Sequence, residues 1–175
     1  MRILVTGASG FIGGHLVKRL LTERHETHVL VRPETDLKLL GENLNNITCH
    51  QYDGSTISVI KLIERTQPDA VIHLASLFVS EHKPEDIQGL IASNILLSTQ
   101  LVEGMARNNV SLLINAGTSW QHYQNSEYNP VNLYAATKEA FRSLLRYYVE
   151  CNGVKVINLE LFDTFGPNDR RGKIF

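Results

Sequence analysis

Short apolar runs alternate with amphipathic helical patterns along this chain, and that alternation limits the folds it can adopt. In the clearest runs, such as residues 3–5 and 29–31, the apolar residues are consecutive, which is typical of strands buried on both faces of a parallel sheet. The runs occupy residues 3–5, 29–31, 47–52, 70–74, 111–114 and 154–159, and the helical patterns occupy 11–21, 59–63, 86–108 and 131–150. The alternation predicts an α/β fold, a doubly wound parallel sheet with helices on both sides.

A glycine triplet lies between the first predicted strand and the first predicted helix. Gly7, Gly10 and Gly13 form the pattern G-x-x-G-x-x-G. Glycines let the backbone turn tightly and approach a pyrophosphate, and a helix N-terminus presents N–H groups to the anion. The alternative is that the glycines only allow close packing. The strand–helix context favours phosphate binding.

The residue that follows the second strand indicates which dinucleotide would bind. An acidic residue there would favour NAD, whereas Arg32 can stack on adenine and pair with a ribose 2′-phosphate. This favours NADP, and the alternative is a solvated surface arginine. Asp53 and Gly54 follow the third strand and are placed to reach adenine, although a simple Asp-Gly turn explains them almost as well.

Tyr134 and Lys138 are four residues apart on a predicted helix, so they share one face. A lysine there helps to stabilise a phenolate and lowers a reference pKa of about 10, so the tyrosine can exchange a proton at a carbinol carbon. Thr118, or alternatively Ser119, follows the fifth strand and could hydrogen-bond the reacting oxygen. An exposed Tyr/Lys pair and an ordinary Ser/Thr turn are the alternatives.

The composition argues against several kinds of partner. A formal net charge of -1 argues against nucleic acid, although Arg170, Arg171 and Lys173 form a local basic cluster. No apolar run approaches the roughly 20 residues of a membrane helix, so no membrane partner is expected. Cys49 and Cys151 are far apart, which fits a reducing compartment and predicts a cytoplasmic protein.

The polar segment 119–129 is rich in turn residues, which predicts an irregular active-site loop. Trp120 within it could be a platform for a sugar or a loop anchor. A metal site is the weakest alternative for this chain, because His25 and His28 flank a helix end and are interpreted as surface residues. No metal is therefore expected.

Taken together, these residues resemble the extended short-chain dehydrogenase/reductase family of nucleotide-sugar epimerases, dehydratases and reductases. The resemblance covers essentially the whole chain. Its carriers are TGASGFIGGH, the strand end HLAS, Asn94 in NILLST, the Gly-Thr-Ser of the fifth strand end, and YAATK. The segments GTSWQHY, NPVNLYAATKEAF and LFDTFGPNDRRGKIF are most similar to reductases that make CDP-3,6-dideoxyhexoses, the abequose and paratose synthase type.

The resemblance implies a Rossmann domain that binds NADP or NAD and a nucleotide-sugar substrate. It makes Thr118, Tyr134 and Lys138 the catalytic residues. The residues expected at the cofactor are Gly7, Gly10, Phe11, Ile12, Gly13, Arg32, Asp53, Gly54, Leu74, Ala75, Ser76, Asn94, Tyr134 and Lys138. Asn94 would pack and hydrogen-bond beneath the site. Members of the family often form homodimers through the helix of the Tyr/Lys pair.

The resemblance also carries departures and rival functions. Trp120 and its neighbours replace the usual Val-Tyr-Gly segment, and Asp163 replaces a usual asparagine. Residues 1–175 are expected to be the dinucleotide-binding domain with the start of a substrate-binding segment at about 163–175, the rest of the substrate part being absent. Reduction of a 4-keto sugar nucleotide is the leading function. Epimerase or dehydratase chemistry, and a dinucleotide-binding module without turnover, are the alternatives.

Overall fold

Six parallel strands form one sheet in the order β3-β2-β1-β4-β5-β6. The computed structural model describes residues 1–167 and 169, with only the backbone described at 37–39. The strands are β1 (Arg2–Thr6), β2 (Glu26–Val31), β3 (Thr48–Gln51), β4 (Ala70–His73), β5 (Leu112–Thr118) and β6 (Lys155–Leu161). All five neighbouring pairs are parallel. The predicted doubly wound sheet is therefore confirmed.

Helices connect the strands. They are α1 (Phe11–Thr22), α2 (Thr56–Thr66), α3 (Asp86–Ile91), α4 (Leu97–Arg107) and α5 (Leu133–Asn152). A π-helical turn (Ala92–Leu96) joins α3 to α4, and 3-10 helix covers Leu37–Asn46, Ser119–Gln121 and Tyr123–Asn125. The single helix predicted over 86–108 is thus interrupted by one wide turn, a kind of defect that is frequent at functional sites.

The two faces of the sheet bury separate apolar cores, which explains the continuous apolar runs. Leu4 of β1 packs in the core that includes residues of α2, α4 and α5. Its neighbours Ile3 and Val5 pack in the core on the other face, together with Val17 of α1. Successive strand residues point to opposite faces, so consecutive apolar residues of a central strand are all buried.

β6 departs from the expected burial on both faces. It is the edge strand of the sheet in the described part of the chain, and its residues are exposed or half-buried. Ile157 is 50 % exposed and Leu159 is 40 % exposed. The apolar run predicted the strand correctly. Its exposure could not be predicted, because it depends on the absence of a described segment against the outer side of β6.

The order of the strands places a crevice above β1 and β4. The chain moves outward from β1 to β3, then returns to β4 and moves the opposite way to β6. In such sheets ligands bind at the carboxyl ends of the strands where the direction changes. The glycine triplet, the HLAS segment and Thr118 each lie at one of these strand ends.

Of the predicted substrate-binding segment at about 163–175, residues 163–167 and 169 are described. This stretch lies against α1, where the carbonyl of Pro167 is 3.2 Å from His15 Nε2 and an added Cβ on Gly166 would lie 3.3 Å from the ring of Phe11. The basic cluster of Arg170, Arg171 and Lys173 lies outside the described residues. Within the described part, no helix is both long and apolar enough to cross a membrane.

Candidate active site

Two of the three glycines are required by the packing of the protein itself. Gly7 has a φ of +73°, and a Cβ there would lie 2.6 Å from the backbone nitrogen of Ala75. A Cβ on Gly13 would lie 2.1 Å from the carbonyl oxygen of Gly7. Both distances are far below contact, so the chain after β4 and the first turn of α1 can only approach the loop because these residues lack side chains.

Gly10 is different, because packing restricts it much less than it restricts Gly7 and Gly13. A Cβ there would meet one described atom within 4 Å, the Gly7 carbonyl oxygen at 3.3 Å, and its φ of -76° is open to any residue. Gly10 is the N-cap of α1 and has no side chain with which to cap it. The first-turn N–H groups, including that of Ile12, therefore face a space that an anion can fill.

Asn94 in the π-helical turn clamps the segment that follows β4. Its Oδ1 accepts hydrogen bonds from the backbone N–H of Leu77 (2.8 Å) and the hydroxyl of Ser76 (3.2 Å). Its Nδ2 donates to the Leu77 carbonyl and to Thr137 Oγ1, both at 3.0 Å. Thr137 in turn donates to the carbonyl of Tyr134 at 2.7 Å. The amide therefore joins the strand end to the helix of the Tyr/Lys pair.

A buried histidine continues this network beneath the crevice, and its hydrogen bonds fix its tautomer. Ser98 Oγ donates to the Asn94 carbonyl (2.9 Å), so it can only accept from His73 Nε2 at 2.8 Å. His73 Nδ1 is then the acceptor for the Thr6 hydroxyl at 2.7 Å, and Thr6 Oγ1 accepts from the Ala75 N–H at 3.2 Å. Burial, and secondarily the charge of Lys138, lowers the pKa of His73 to about 3, so the ring stays neutral.

Tyr134 lies in the first turn of α5 with the ring of Phe78 edge-on at 5.0 Å. Burial raises its pKa above the ordinary value, and a hydrogen bond with Ser76 partly opposes that shift. The expectation that Lys138 would lower this pKa is wrong for the protein without its cofactor, since desolvation of the phenolate is the larger effect. The phenol is therefore in its acid form at neutral pH.

Lys138 is 5 % exposed and shares the face of Tyr134 on α5. Burial lowers its pKa to about 8. Within the described residues no hydrogen bond or ion pair to its amine is found. A buried amine without a protein partner is costly, so it marks a place where ligand oxygens fit. This amine and the open space at Gly10 are two features that fit a dinucleotide.

Thr118 ends β5 and is the N-cap of the short 3-10 turn that follows it. Its Oγ1 accepts from the Trp120 N–H at 3.3 Å, and its own N–H donates to Gln121 Oε1 at 2.8 Å. The Trp120 ring lies 5.7 Å from that of Phe78. Since Phe78 also contacts Tyr134, the loop after β5 and the first turn of α5 face the same aromatic ring.

The residues predicted at the adenosine end lie on the surface. Arg32 pairs with Glu34 at 3.2 Å, and both side chains are about two-thirds exposed. Asp53 Oδ1 accepts from the Ser55 N–H (2.8 Å) and from the Ser58 hydroxyl, so it also holds the start of α2. The turn explanation for Asp53 is thus correct locally, and a role at adenine stays a prediction.

His28 is not a surface residue. It is 8 % exposed, and its ring hydrogen-bonds His50 at 2.9 Å and Glu26 at 3.0 Å. The interpretation of His28 as a surface residue is therefore wrong, because β2 places its ring against His50 of the neighbouring strand β3. Among the described residues, no group of three or more His, Cys, Asp or Glu side chains could hold a metal ion.

The loop at 119–129 contains two 3-10 turns and no longer element, as predicted. Sequence patterns gave no signal for three of the residues that organise the site. Ser98 and Thr137 are small polar residues inside helices, and Gln121 sits in a polar loop where glutamine is unremarkable. Their importance comes from what they contact across the fold.

The chain matches one protein-family model and is similar to several individual proteins. Residues 3–175 match the family model described as "NAD dependent epimerase/dehydratase family". The chain is 30% identical over 176 residues to a CDP-abequose synthase of Yersinia pseudotuberculosis, covering 99% of this chain and 59% of that protein. It is 27% identical over 188 residues to Protein CapI of Staphylococcus aureus, covering 95% of this chain and 55% of that protein.

A solved structure is also similar. The UDP-glucose 4-epimerase of Thermus thermophilus, in complex with NAD, superposes with a TM-score of 0.81 at 27% sequence identity. The match covers 91% of this chain and 54% of the epimerase chain. The present chain thus spans little more than half the length of the proteins that it matches.

Proposed function

Because the chain belongs to the NAD-dependent epimerase/dehydratase family, we propose that it reduces a 4-keto nucleotide sugar. Family membership confirms the resemblance drawn from the sequence motifs. The substrate class that we propose is a CDP-linked dideoxyhexose precursor, for surface-polysaccharide sugars, and the similarity to a CDP-abequose synthase supports it. The observation that carries the proposal is the half-buried, protonated phenol of Tyr134. It lies on the same helix face as the buried amine of Lys138, which has no partner among the described residues.

The chain's own groups supply the acid and the electrostatic stabilisation. In the reduction, the C4 carbonyl carbon gains a hydrogen with its electron pair, and the phenol of Tyr134 donates a proton to the carbonyl oxygen. Thr118 donates a hydrogen bond to the same oxygen, because its oxygen already accepts from the Trp120 N–H and its hydrogen remains available. Lys138 stabilises the phenolate that remains. Such preorganised donors lower the barrier where negative charge develops.

The glycine loop, the strand end after β4 and Lys138 would hold the dinucleotide. Gly10 leaves room for the pyrophosphate at the N-terminus of α1, and Ala75 and Ser76 border the crevice beside it. When bound, the reduced nicotinamide supplies the hydride for this reduction. The amine of Lys138 would hydrogen-bond ribose hydroxyls, which accounts for a buried amine that has no partner among the described residues.

Epimerase chemistry is the second candidate, supported by the similarity to a UDP-glucose 4-epimerase in complex with NAD. Dehydratase chemistry has less support, because Ser119 and Trp120 offer no acid/base pair after Thr118. The same tyrosine and lysine would serve an epimerase. The two candidates differ in the fate of the cofactor, since a reductase consumes it and an epimerase returns it unchanged.

The experiment that tests the proposal mixes the protein with NADPH and a CDP-4-keto-6-deoxy sugar and follows absorbance at the nicotinamide band. Stoichiometric oxidation of NADPH with formation of the alcohol is the expected result. Conversion of a nucleotide sugar to its C4 epimer without net oxidation would replace the proposal by epimerase activity. Cofactor binding with neither conversion would leave a dinucleotide-binding module.

We propose NADP as the preferred cofactor, since Arg32 stands at the end of β2 where a 2′-phosphate would lie. Its exposed pair with Glu34 is worth little, so the guanidinium is free to turn to a phosphate. Arg32→Ala is expected to weaken NADPH binding about tenfold and to leave NADH binding within about twofold. Fluorescence titration measures both, and tighter binding of NADH than NADPH by the unmodified protein contradicts the preference.

We also propose a homodimer, supported by the apolar residues that α3 and α5 expose. Ile87 and Ile91 lie one turn apart on α3, and Leu144 and Tyr147 lie one turn apart on α5, each at least 40 % exposed. Light scattering tests this state, and a monomer mass contradicts it.

For location we propose the cytoplasm, in keeping with the free and exposed Cys49 and Cys151.

A further inference from the structure

We infer that Gln121 is a positioning residue that ties Thr118 to α5 and so directs the Thr118 hydroxyl toward the substrate oxygen. The inference rests on the proposed role of Thr118 in the reduction. No sequence pattern indicates Gln121.

Gln121 is buried, with 2 % of its surface exposed, although it lies in a polar loop. Its Oε1 accepts from the backbone N–H of Thr118 at 2.8 Å, and its Nε2 donates to Glu139 Oε2 at 2.6 Å. The chemistry of the partners fixes the orientation of the amide, because an N–H must meet the oxygen and a carboxylate must meet the nitrogen. A buried amide satisfied in this way has one stable orientation.

The backbone around Gln121 makes room for this arrangement. A Cβ on Gly117 would lie 2.8 Å from Gln121 Oε1, so the glycine of the Gly-Thr-Ser segment provides the space that the amide fills. The carbonyl of Gln121 accepts from the Asn129 N–H at 3.2 Å, which anchors the residue to the far side of its loop. Main chain and side chain of Gln121 are therefore both fixed.

These contacts leave the hydroxyl hydrogen of Thr118 available as a donor. Its backbone N–H is held by Gln121, and its hydroxyl oxygen accepts from Trp120 N–H. Among the residues that the structure describes, the Thr118 hydroxyl has no acceptor for its hydrogen. That hydrogen can be donated to a ligand oxygen, and the direction in which it points depends on how Gln121 holds the strand end.

The other end of the amide reaches the helix that carries Tyr134 and Lys138. Glu139 follows Lys138 directly in α5 and is 14 % exposed at its side chain. Arg142 lies 3.6 Å from Glu139 and 3.7 Å from Glu160 of β6, which holds the carboxylate in place. One amide therefore links the strand end that bears the hydroxyl to the helix that bears the acid.

Substitutions at Gln121 and at its partner Glu139 test the inference. Gln121→Met removes both hydrogen bonds at similar volume and is expected to lower kcat about 10- to 100-fold, as expected for a donor displaced by a fraction of an ångström. Gln121→Glu places two carboxylates together and is expected to be at least as damaging. The double variant Gln121→Glu with Glu139→Gln restores donor and acceptor in exchanged places, and is expected to recover kcat to within about threefold of the unmodified protein.

Gln124→Met is the matched control, because Gln124 is an exposed glutamine of the same loop. It is expected to leave kcat unchanged. The KM for NADPH is expected to stay the same in every variant, since Gln121 contacts none of the residues assigned to the cofactor. Amide hydrogen exchange of the Thr118 N–H gives a readout without turnover, with faster exchange in Gln121→Met and restored protection in the double variant.

The outcomes separate this inference from the proposed function. If the unmodified protein reduces no 4-keto sugar, the proposed function fails, while Thr118 exchange still reports whether Gln121 holds the strand end. If Gln121→Met turns over as fast as the unmodified protein, or if Thr118 stays protected, the inference is overturned. A folded double variant that stays as slow as Gln121→Met also overturns it, because the link to Glu139 would then not matter.

Discussion

Replacement of Tyr134 by phenylalanine is expected to abolish sugar reduction while leaving cofactor binding intact. The phenol is the only group that we assign as proton donor, and loss of a general acid costs about 10²- to 10⁴-fold in kcat. The fold should tolerate the change, because the ring keeps its edge contact with Phe78 and Ser76 keeps its bond to Asn94. Steady-state kinetics with NADPH and the 4-keto sugar measure the loss.

Tyr147→Phe is the matched control for that prediction. Tyr147 lies on the same helix and is 57 % exposed, so removal of its hydroxyl is expected to leave kcat unchanged. Titration of NADPH into Tyr134→Phe should give a Kd within about threefold of the unmodified protein. A Tyr134→Phe variant that retains more than a tenth of the activity would show that another group donates the proton.

The pH dependence follows from the same residue. Burial raises the pKa of Tyr134, so the phenol stays protonated at neutral pH and can act as an acid. We therefore expect kcat, measured as a function of pH, to hold as pH rises through neutrality, because the phenol keeps its proton there. Burial lowers the pKa of Lys138 to about 8, so its positive charge is lost earlier in the protein without cofactor.

The sheet could be predicted from the sequence because the signals for it are local. Ile3, Leu4 and Val5 are apolar in succession, and only a strand covered on both faces demands that. Helix positions followed from the same reasoning. Burial of the last strand could not be predicted, since whether β6 is covered depends on which segment lies beside it and not on its own residues.

The sequence motifs of the candidate site could be predicted, but the hydrogen bonds that support it could not. Gly7, Tyr134 and Lys138 lie at spacings that the chemistry requires, so the pattern predicts them. His73 belongs to the strand end HLAS, but its hydrogen bonds to Thr6 and Ser98 join residues 67 and 25 positions apart. No local pattern encodes contacts over such distances, and the same holds for Gln121 with Glu139.

Alanine substitutions at the glycines of the first loop are expected to separate cofactor affinity from stability. Gly10→Ala should still fold, because its φ suits alanine and its Cβ meets one described atom within 4 Å, the Gly7 carbonyl oxygen at 3.3 Å, which has to move by only a few tenths of an ångström. The same Cβ would stand where the pyrophosphate approaches the N-terminus of α1. A conflict of about 3 kcal/mol there weakens binding roughly 100-fold. Titration of NADPH measures the Kd, and thermal unfolding checks the fold.

Gly14→Ala is the control for this substitution and Gly13→Ala is its counterpart. A Cβ on Gly14 lies 3.8 Å from the nearest described atom, an ordinary contact, and alanine in place of a helical glycine stabilises by about 1 kcal/mol. Gly14→Ala should therefore bind NADPH normally and unfold at a higher temperature. Gly13→Ala should lose the fold of the loop, because its Cβ would lie 2.1 Å from the Gly7 carbonyl oxygen. If Gly10→Ala binds NADPH as tightly as Gly14→Ala does, the space at Gly10 does not receive a phosphate, and the loop is there for packing alone.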